Sequence, residues 1–330
     1  MKDDEIRWGI LGCGDVTEVK SGPAFDHIDG SRRVAVMRRD GEKARDYAER
    51  HGVPRWYSDA DDLIADPQVN AIYIATPPDS HAEYTLRAAR SGKPVYVEKP
   101  MARTHGECER MIDACRDADV PLFVAYYRRR LPTFLKAREL IEDGAIGDVR
   151  FAGVTLVGPP APDHLNGELP WRVLPEISGG GLFFDVGSHQ LDLLDFLLGP
   201  IESARGHAVN QAGWYPAEDA VSASFAFESG AIGNGIWCFT LSPGSTIDRT
   251  DIVGTQGRIT FSTFGLDQPL TLVRENGQSE EFLLPPPTHV QEPLIQTIVD
   301  ALNGRGSCPS TGVSAARTSK VMDCVVASRT

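Results

Sequence analysis

Two stretches carry side chains whose types and spacing suit reaction chemistry. "KPVYVEKPM" ends an apolar run with Glu98-Lys99-Pro100. A charged pair at the carboxyl end of a buried strand is costly unless it is paired or used. An amine there suits holding a hydroxyl or carbonyl oxygen, and it joins a proton relay if burial lowers its pKa. The second stretch, "EISGGGLFFDVGSHQLDLLDFLLG", runs from Glu176 to Gly199. Asp185, His189 and Asp192 fall at i, i+4 and i+7, on one face of a helix, with Leu193, Leu194, Leu197 and Leu198 mostly round the other side. His189 is an acid/base for near-neutral pH, and Asp185 a partner that orients or charge-stabilises it. The plainer reading makes Asp185 an N-cap and His189 a surface residue; the presence of Lys99 favours the reactive one. The Gly179–Gly181 run lets backbone come close to a substrate.

Further polar residues are candidates for a substrate wall. His164, Trp171 and Arg172 lie in the long loop "HLNGELPWRVLPE", with Trp171 suited to stacking on a sugar ring and Arg172 to binding a polar group. Tyr126 and Arg128 follow a strand-like run in "AYYRRR", where Arg129 and Arg130 read as salt-bridge or solvent residues. His207 and His289 belong to no constellation. Nor do the six cysteines at 13, 108, 115, 238, 308 and 324, which contain no C-x-x-C pair, so neither a metal site nor a disulfide framework is indicated.

These groups need elements to position them. Over the first 127 residues, short β-branched runs ("IRWGILG", "RRVAVMRR", "AIYIATP", "KPVYVEKP", "PLFVAYY") alternate with helical stretches. That pattern predicts a doubly wound parallel α/β domain. In "WGILGCGDVTEV", Gly12 and Gly14 sit at the first strand-to-helix turn, where backbone approaches a pyrophosphate; Cys13, Asp15 and Val16 belong to the same turn. Thr17 stands where the fingerprint has its third glycine. The second strand ends in Arg38 and Arg39, where NAD-preferring sites carry an acid, so NADP(H) is favoured, with NAD(H) kept open by Asp40. Thr76 and Pro77 end a further strand and should border the cofactor, with His81 in the first turn of the following helix and Glu98 beside Lys99.

After Tyr127 the pattern changes. A helix near 132–143 leads to a Pro/Gly-rich loop, then to strand-like runs with short turns, which predict a largely antiparallel sheet, and finally to helices near 289–303 and 313–327. The expected division is a dinucleotide-binding domain, 1–127, and an α+β substrate domain, 128–330.

Composition narrows the function classes. With 330 residues, 41% hydrophobic and 24% charged, the chain is an ordinary globular protein. A net charge of -13 argues against a nucleic-acid partner. There is no apolar run of transmembrane length, and the acidic start leaves no room for a secretory signal. A reducing cytoplasm is the expected location.

In this order and spacing, "GCGDVTE", "IATPPDSHAEY", "VEKPMA" and "GGGLFFDVGSHQLDLLDFLLG" resemble the glucose–fructose oxidoreductase / inositol dehydrogenase (Gfo/Idh/MocA) family over nearly the whole chain. The resemblance implies a Rossmann domain followed by a domain with a large open sheet. It implies a catalytic role for Lys99, with Asp185 and His189 lining the substrate pocket. It also implies sugars, polyols or related carbonyl compounds as substrates, and homodimers or homotetramers formed through the exposed sheet face. The loop before the glycines is similar to that of anhydro-sugar reductases and dihydrodiol dehydrogenases in the family. The expected activity is NADP(H)-dependent hydride exchange at a carbinol/carbonyl carbon. The alternatives are the same chemistry on a dihydrodiol, tetrapyrrole or amino-acid derivative, or a non-catalytic NADP-sensing regulator.

Overall fold

The computed structural model describes residues 5–165 and 167–327, so the acidic start Met1–Asp4 lies outside the described residues. The chain divides into two units, Met1–Tyr127 with Pro287–Ala316, and Arg128–Pro286 with Arg317–Thr330.

The first unit is built on β1 (Ile6–Leu11), β2 (Ser31–Met37), β3 (Arg55–Tyr57), β4 (Ala71–Ile74), β5 (Val95–Val97) and β6 (Leu122–Val124). Their order is β3-β2-β1-β4-β5-β6, and every pairing is parallel. β4, β5 and β6 are buried along their whole length, which is why their sequences are continuously apolar. The order reverses between β1 and β4, the place where doubly wound sheets open a crevice at their carboxyl ends. Asp40 and Thr104 cap the helices Gly41–His51 and His105–Asp117, accepting from the N–H groups of Lys43 and Glu107.

The division expected from sequence differs in one segment, because 287–316 returns to the first unit. Polar ties draw it back. Gln291 donates from Nε2 to Glu98 and accepts from the Tyr96 hydroxyl at 2.8 Å, and Ser310 Oγ donates to the Val124 carbonyl at 2.7 Å.

The second unit carries β7 (Val149–Val157), β8 (Ile201–Val209), β9 (Ala220–Phe227), β10 (Ile232–Cys238), β11 (Ile247–Gly254), β12 (Gly257–Phe261), β13 (Leu270–Arg274) and β14 (Ser279–Phe282). They form one sheet in the order β14-β13-β12-β11-β7-β10-β9-β8. Only the β7–β10 pair is parallel. Phe183, Phe184, Leu191 and Leu194, with Val321, Met322 and Val325 of the helix Gly312–Val326, cover one face against Val154, Val221, Phe225 and Trp237. Alternate residues on the other face, Ile232, Ile236 and Ile247, stay exposed.

Candidate active site

The turn after β1 is shaped for backbone approach. Gly12 has φ +91°, and a Cβ there would lie 2.7 Å from Thr76 Cγ2 and 2.8 Å from Thr76 N, so β1 and β4 meet at a position only glycine fits. Gly14 is different. Its φ of -130° suits any residue, and a Cβ added there would meet nothing within 4 Å. The chain itself therefore makes no demand for glycine at 14, and the open space beside it fits a dinucleotide's pyrophosphate. The N–H groups of Gly12 and Cys13 both donate to the Met37 carbonyl, which ties the turn to the end of β2. Asp15 and Val16 open the short helix Asp15–Val19 that follows. Thr17, in place of the third glycine, does not loosen the packing: it is fully buried and its hydroxyl donates to the Gly14 carbonyl at 2.7 Å.

Arg38 and Arg39 are exposed just beyond β2, and Arg38 Nη1 donates to the Cys13 carbonyl at 3.3 Å. Asp40, the acid that kept NAD(H) open, has its carboxylate on the Lys43 N–H as a helix cap, an interaction that also holds its pKa below the usual value.

Lys99 is half-buried at the end of β5, and the bond to Pro100 is cis. Its neighbour Glu98 is buried: Oε1 accepts from the Tyr73 hydroxyl at 2.6 Å and from Gln291 Nε2 at 2.7 Å, and Oε2 accepts from the Lys99 N–H at 3.2 Å. His81 is fully buried between backbone carbonyls. Both side chains spend their polar atoms inside the unit. Tyr126 is 1% exposed and belongs to the first unit's apolar core.

In the second unit the helix expected through Asp185 is interrupted. Phe183–Gly187 forms a π-turn and the α-helix spans Ser188–Leu198, so Asp185 leaves the i, i+4, i+7 stripe. The Asp185 carboxylate lies 3.2 Å from Arg172 Nε. Arg172 also stacks over the Trp171 ring at 4.4 Å, so guanidinium and indole share one patch. His164 is buried rather than displayed: Nδ1 accepts from the Ala161 N–H, its ring meets Tyr215 edge-on at 5.7 Å, and burial pushes its pKa down. It holds the loop's shape from within. Gly181 serves the same loop, its N–H donating to Glu218 Oε1 at 2.8 Å.

His189 is 4% exposed and packs edge-on against Phe264 at 6.0 Å. Phe264 in turn carries Arg128 over its face at 4.5 Å, while Arg128 Nε donates to the Thr263 carbonyl. Arg128 is therefore a buried prop for the Phe264 ring. Phe264 itself had no sequence signal, because it lies in a loop after β12 with no motif around it. Asp192 is a structural residue: Arg129 donates to both of its oxygens, at 2.9 and 2.7 Å, and also reaches Asp195, which Arg317 grips from the C-terminal helix at 2.7 Å. Among the described residues no cluster of three or more His, Cys, Asp or Glu side chains could hold a metal ion. No helix among them is long and apolar enough to cross a membrane.

Comparison with known proteins is consistent over both units. Residues 6–126 match the oxidoreductase family with an NAD-binding Rossmann fold, and residues 134–260 match the GFO/IDH/MocA C-terminal domain. Oxidoreductase P35 of Formosa agariphila is 38% identical over 322 residues, covering 97% of this chain and 98% of its own. The 1,5-anhydro-D-fructose reductase of Ensifer adhaerens is 30% identical over 93% of this chain and 91% of its own. Levoglucosan dehydrogenase, solved with NADH and levoglucosan, superposes with a TM-score of 0.87 at 24% identity over 98% of this chain and 97% of that one, a likeness of fold. On these matches the chain belongs to the Gfo/Idh/MocA family of NAD(P)-dependent oxidoreductases acting on CH–OH groups.

Proposed function

We propose that the protein is an NADP(H)-dependent oxidoreductase of a cyclic sugar or anhydro-sugar, exchanging hydride at a ring carbinol/carbonyl carbon. The observation that carries this is the match to an anhydrofructose reductase over 93% of this chain, in a chain with Lys99 at the end of β5 and with Asp185 in the π-turn that leads into the His189 helix. Bound nicotinamide supplies or accepts the hydride. The turn from Gly12 to Val16 would receive the pyrophosphate in the open space beside Gly14, Thr76 and Pro77 would border the cofactor, and Arg38 with Arg39 would grip the ribose 2′-phosphate.

Lys99 donates a hydrogen bond to the substrate oxygen and polarises it. In the oxidative direction the carbinol carbon loses its hydrogen with the bonding pair, and the hydroxyl proton passes to an imidazole nitrogen of His189; reduction reverses both transfers. Asp185, held by Arg172, favours the imidazolium that results. Trp171 and Arg172 recognise the ring and its hydroxyls. The exposed apolar row Ile232, Ile236 and Ile247 supports a homodimer or homotetramer through the outer sheet face. The cysteine usage supports a reducing cytoplasm.

A panel of sugars, anhydro-sugars and polyols, assayed with NADPH, NADH and their oxidised forms, tests this reading. Turnover of a cyclic sugar that is lost in Lys99→Ala while NADPH still binds is the expected result. Unchanged turnover in that variant overturns the role of Lys99, and turnover confined to non-sugar substrates overturns the substrate class.

A further inference from the structure

His81 lies between the dinucleotide turn and the backbone that carries Lys99. Its ring is completely buried, with Nε2 2.7 Å from the Thr76 carbonyl oxygen and Nδ1 3.0 Å from that of Pro100 and 3.3 Å from that of Met101. Thr76 is the residue against which the turn at Gly12 packs. Ser80 Oγ lies 2.7 Å from Thr76 Oγ1 and 2.9 Å from the Pro77 carbonyl, fixing the same loop a second time. On the other flank of Lys99, the Glu98 carboxylate accepts the Lys99 N–H. One side of Lys99 is thus fixed by Glu98, and the other side, through Pro100, by His81.

We propose that His81 is a positioning residue: a strap between the carbonyl of Thr76 and those of Pro100 and Met101 that sets the place of Lys99 relative to the dinucleotide turn. The proposal rests on the reading that Lys99 acts in the reaction. Carbonyl oxygens converging on one buried point need a donor between them, since each is a hydrogen-bond acceptor only. A neutral imidazole donates on one side, and an imidazolium on both. An aliphatic or phenyl replacement donates on neither, and the two loops lose their common anchor. Nothing in this arrangement requires His81 to touch substrate or cofactor.

The test compares His81→Phe with His81→Asn in the full-length protein, beside Lys99→Ala. In His81→Phe, kcat should fall roughly 10- to 100-fold, the cost of an ångström-scale displacement of a reacting group, while the Kd for NADPH stays within about threefold. His81→Asn keeps an amide donor and should recover most of the loss. Acylation of the Lys99 amine by an N-hydroxysuccinimide acetate, followed by mass spectrometry, should change rate about fivefold or more in the Phe variant and little in the Asn variant. Equal kcat and equal Lys99 acylation in a folded Phe variant overturn the proposal. So does an equal loss in both variants accompanied by loss of NADPH binding, which marks a general structural role. If the Phe variant does not fold, His81→Ala, which also lacks a donor, takes its place beside His81→Asn: kcat and Lys99 acylation must then change together in the Ala variant and stay near wild type in the Asn variant, and acylation unchanged in the Ala variant overturns the strap. Full turnover in Lys99→Ala would remove the catalytic reading, whereas the acylation rate still reports on the strap.

Discussion

The carboxylate of Asp185 is held 3.2 Å from the guanidinium of Arg172, a residue of the loop that precedes the glycines. Arg172 is about half exposed on its side chain and Asp185 is mostly covered, so the partner comes in from the surface to a carboxylate at the edge of the interior. The pair bridges the loop and the π-turn. It thereby links the Trp171–Arg172 patch to the turn that leads into His189.

Arg172→Ala is expected to leave stability within about 1 kcal/mol, the range for a partly exposed ion pair. Its effect on turnover should be larger, roughly tenfold in kcat/KM, because the variant loses both a ring-binding group and the charge that fixes Asp185. Denaturant midpoints and steady-state kinetics on the same preparation separate the two. A variant that loses stability and turnover in proportion would make the pair structural only.

Cofactor preference provides a second test. Replacing Arg38 and Arg39 together with Ala should weaken NADPH binding roughly 10- to 100-fold, the worth of one charge-assisted contact to a phosphate. NADH binding should change by less than about threefold, since NADH lacks the 2′-phosphate. Fluorescence titration of both cofactors measures this. A wild-type protein that binds NADH tenfold better than NADPH would sink the assignment to Arg38 and Arg39.

Much of the architecture was legible because it rests on local periodicity. The buried strands β4, β5 and β6 are apolar throughout, and the helices Pro132–Glu142 and Gly312–Val326 lie close to where their patterns place them. What escaped depends on long-range contacts. β3 is three residues long and mostly exposed, so it has no hydrophobic signature. The return of 287–316 to the first unit follows from Gln291 and Ser310, whose partners lie more than 180 residues away. At the site, residue types were readable but their partners were not. Asp192 looks like a companion of His189 until Arg129 is seen to occupy both its oxygens.

Glu18 offers a pH test in the first unit. Its carboxylate is gripped by Arg50 and next by His51, which hold its pKa at about 2 against an ordinary 4.5. A depressed folded pKa means that the unfolded chain takes up the proton first, so the contribution is full above about pH 4.5 and is lost as pH falls toward 2. Glu18→Gln should therefore be less stable than wild type at pH 7, with the gap narrowing by pH 3. Urea midpoints at the two values check this, and a gap that widens on acidification would contradict it. The size is small, because the pair is partly open to solvent.

The buried cluster of Arg129, Asp192, Asp195 and Arg317 gives the sharpest stability test. Burial pushes the Asp192 pKa up to about 6, and the Arg129 guanidinium pulls against it. An acid whose folded pKa lies above its ordinary 3.8 costs stability as pH rises between those values, since the folded state holds the proton longer. Arg129→Met removes the opposing charge, so the Asp192 pKa climbs further and the window of loss extends upward. The variant should be destabilised by about 3–5 kcal/mol near pH 8, the cost of leaving one member of a buried pair without its partner. At pH 5 part of that loss should return, because Asp192 can be buried as the neutral acid. Adding Asp192→Asn to Arg129→Met should recover stability at pH 8 and flatten the pH dependence, which a double-mutant cycle in urea measures. A loss independent of pH, or a double variant no more stable than Arg129→Met, would show that packing around the guanidinium, and not its charge, keeps the His189 helix in place.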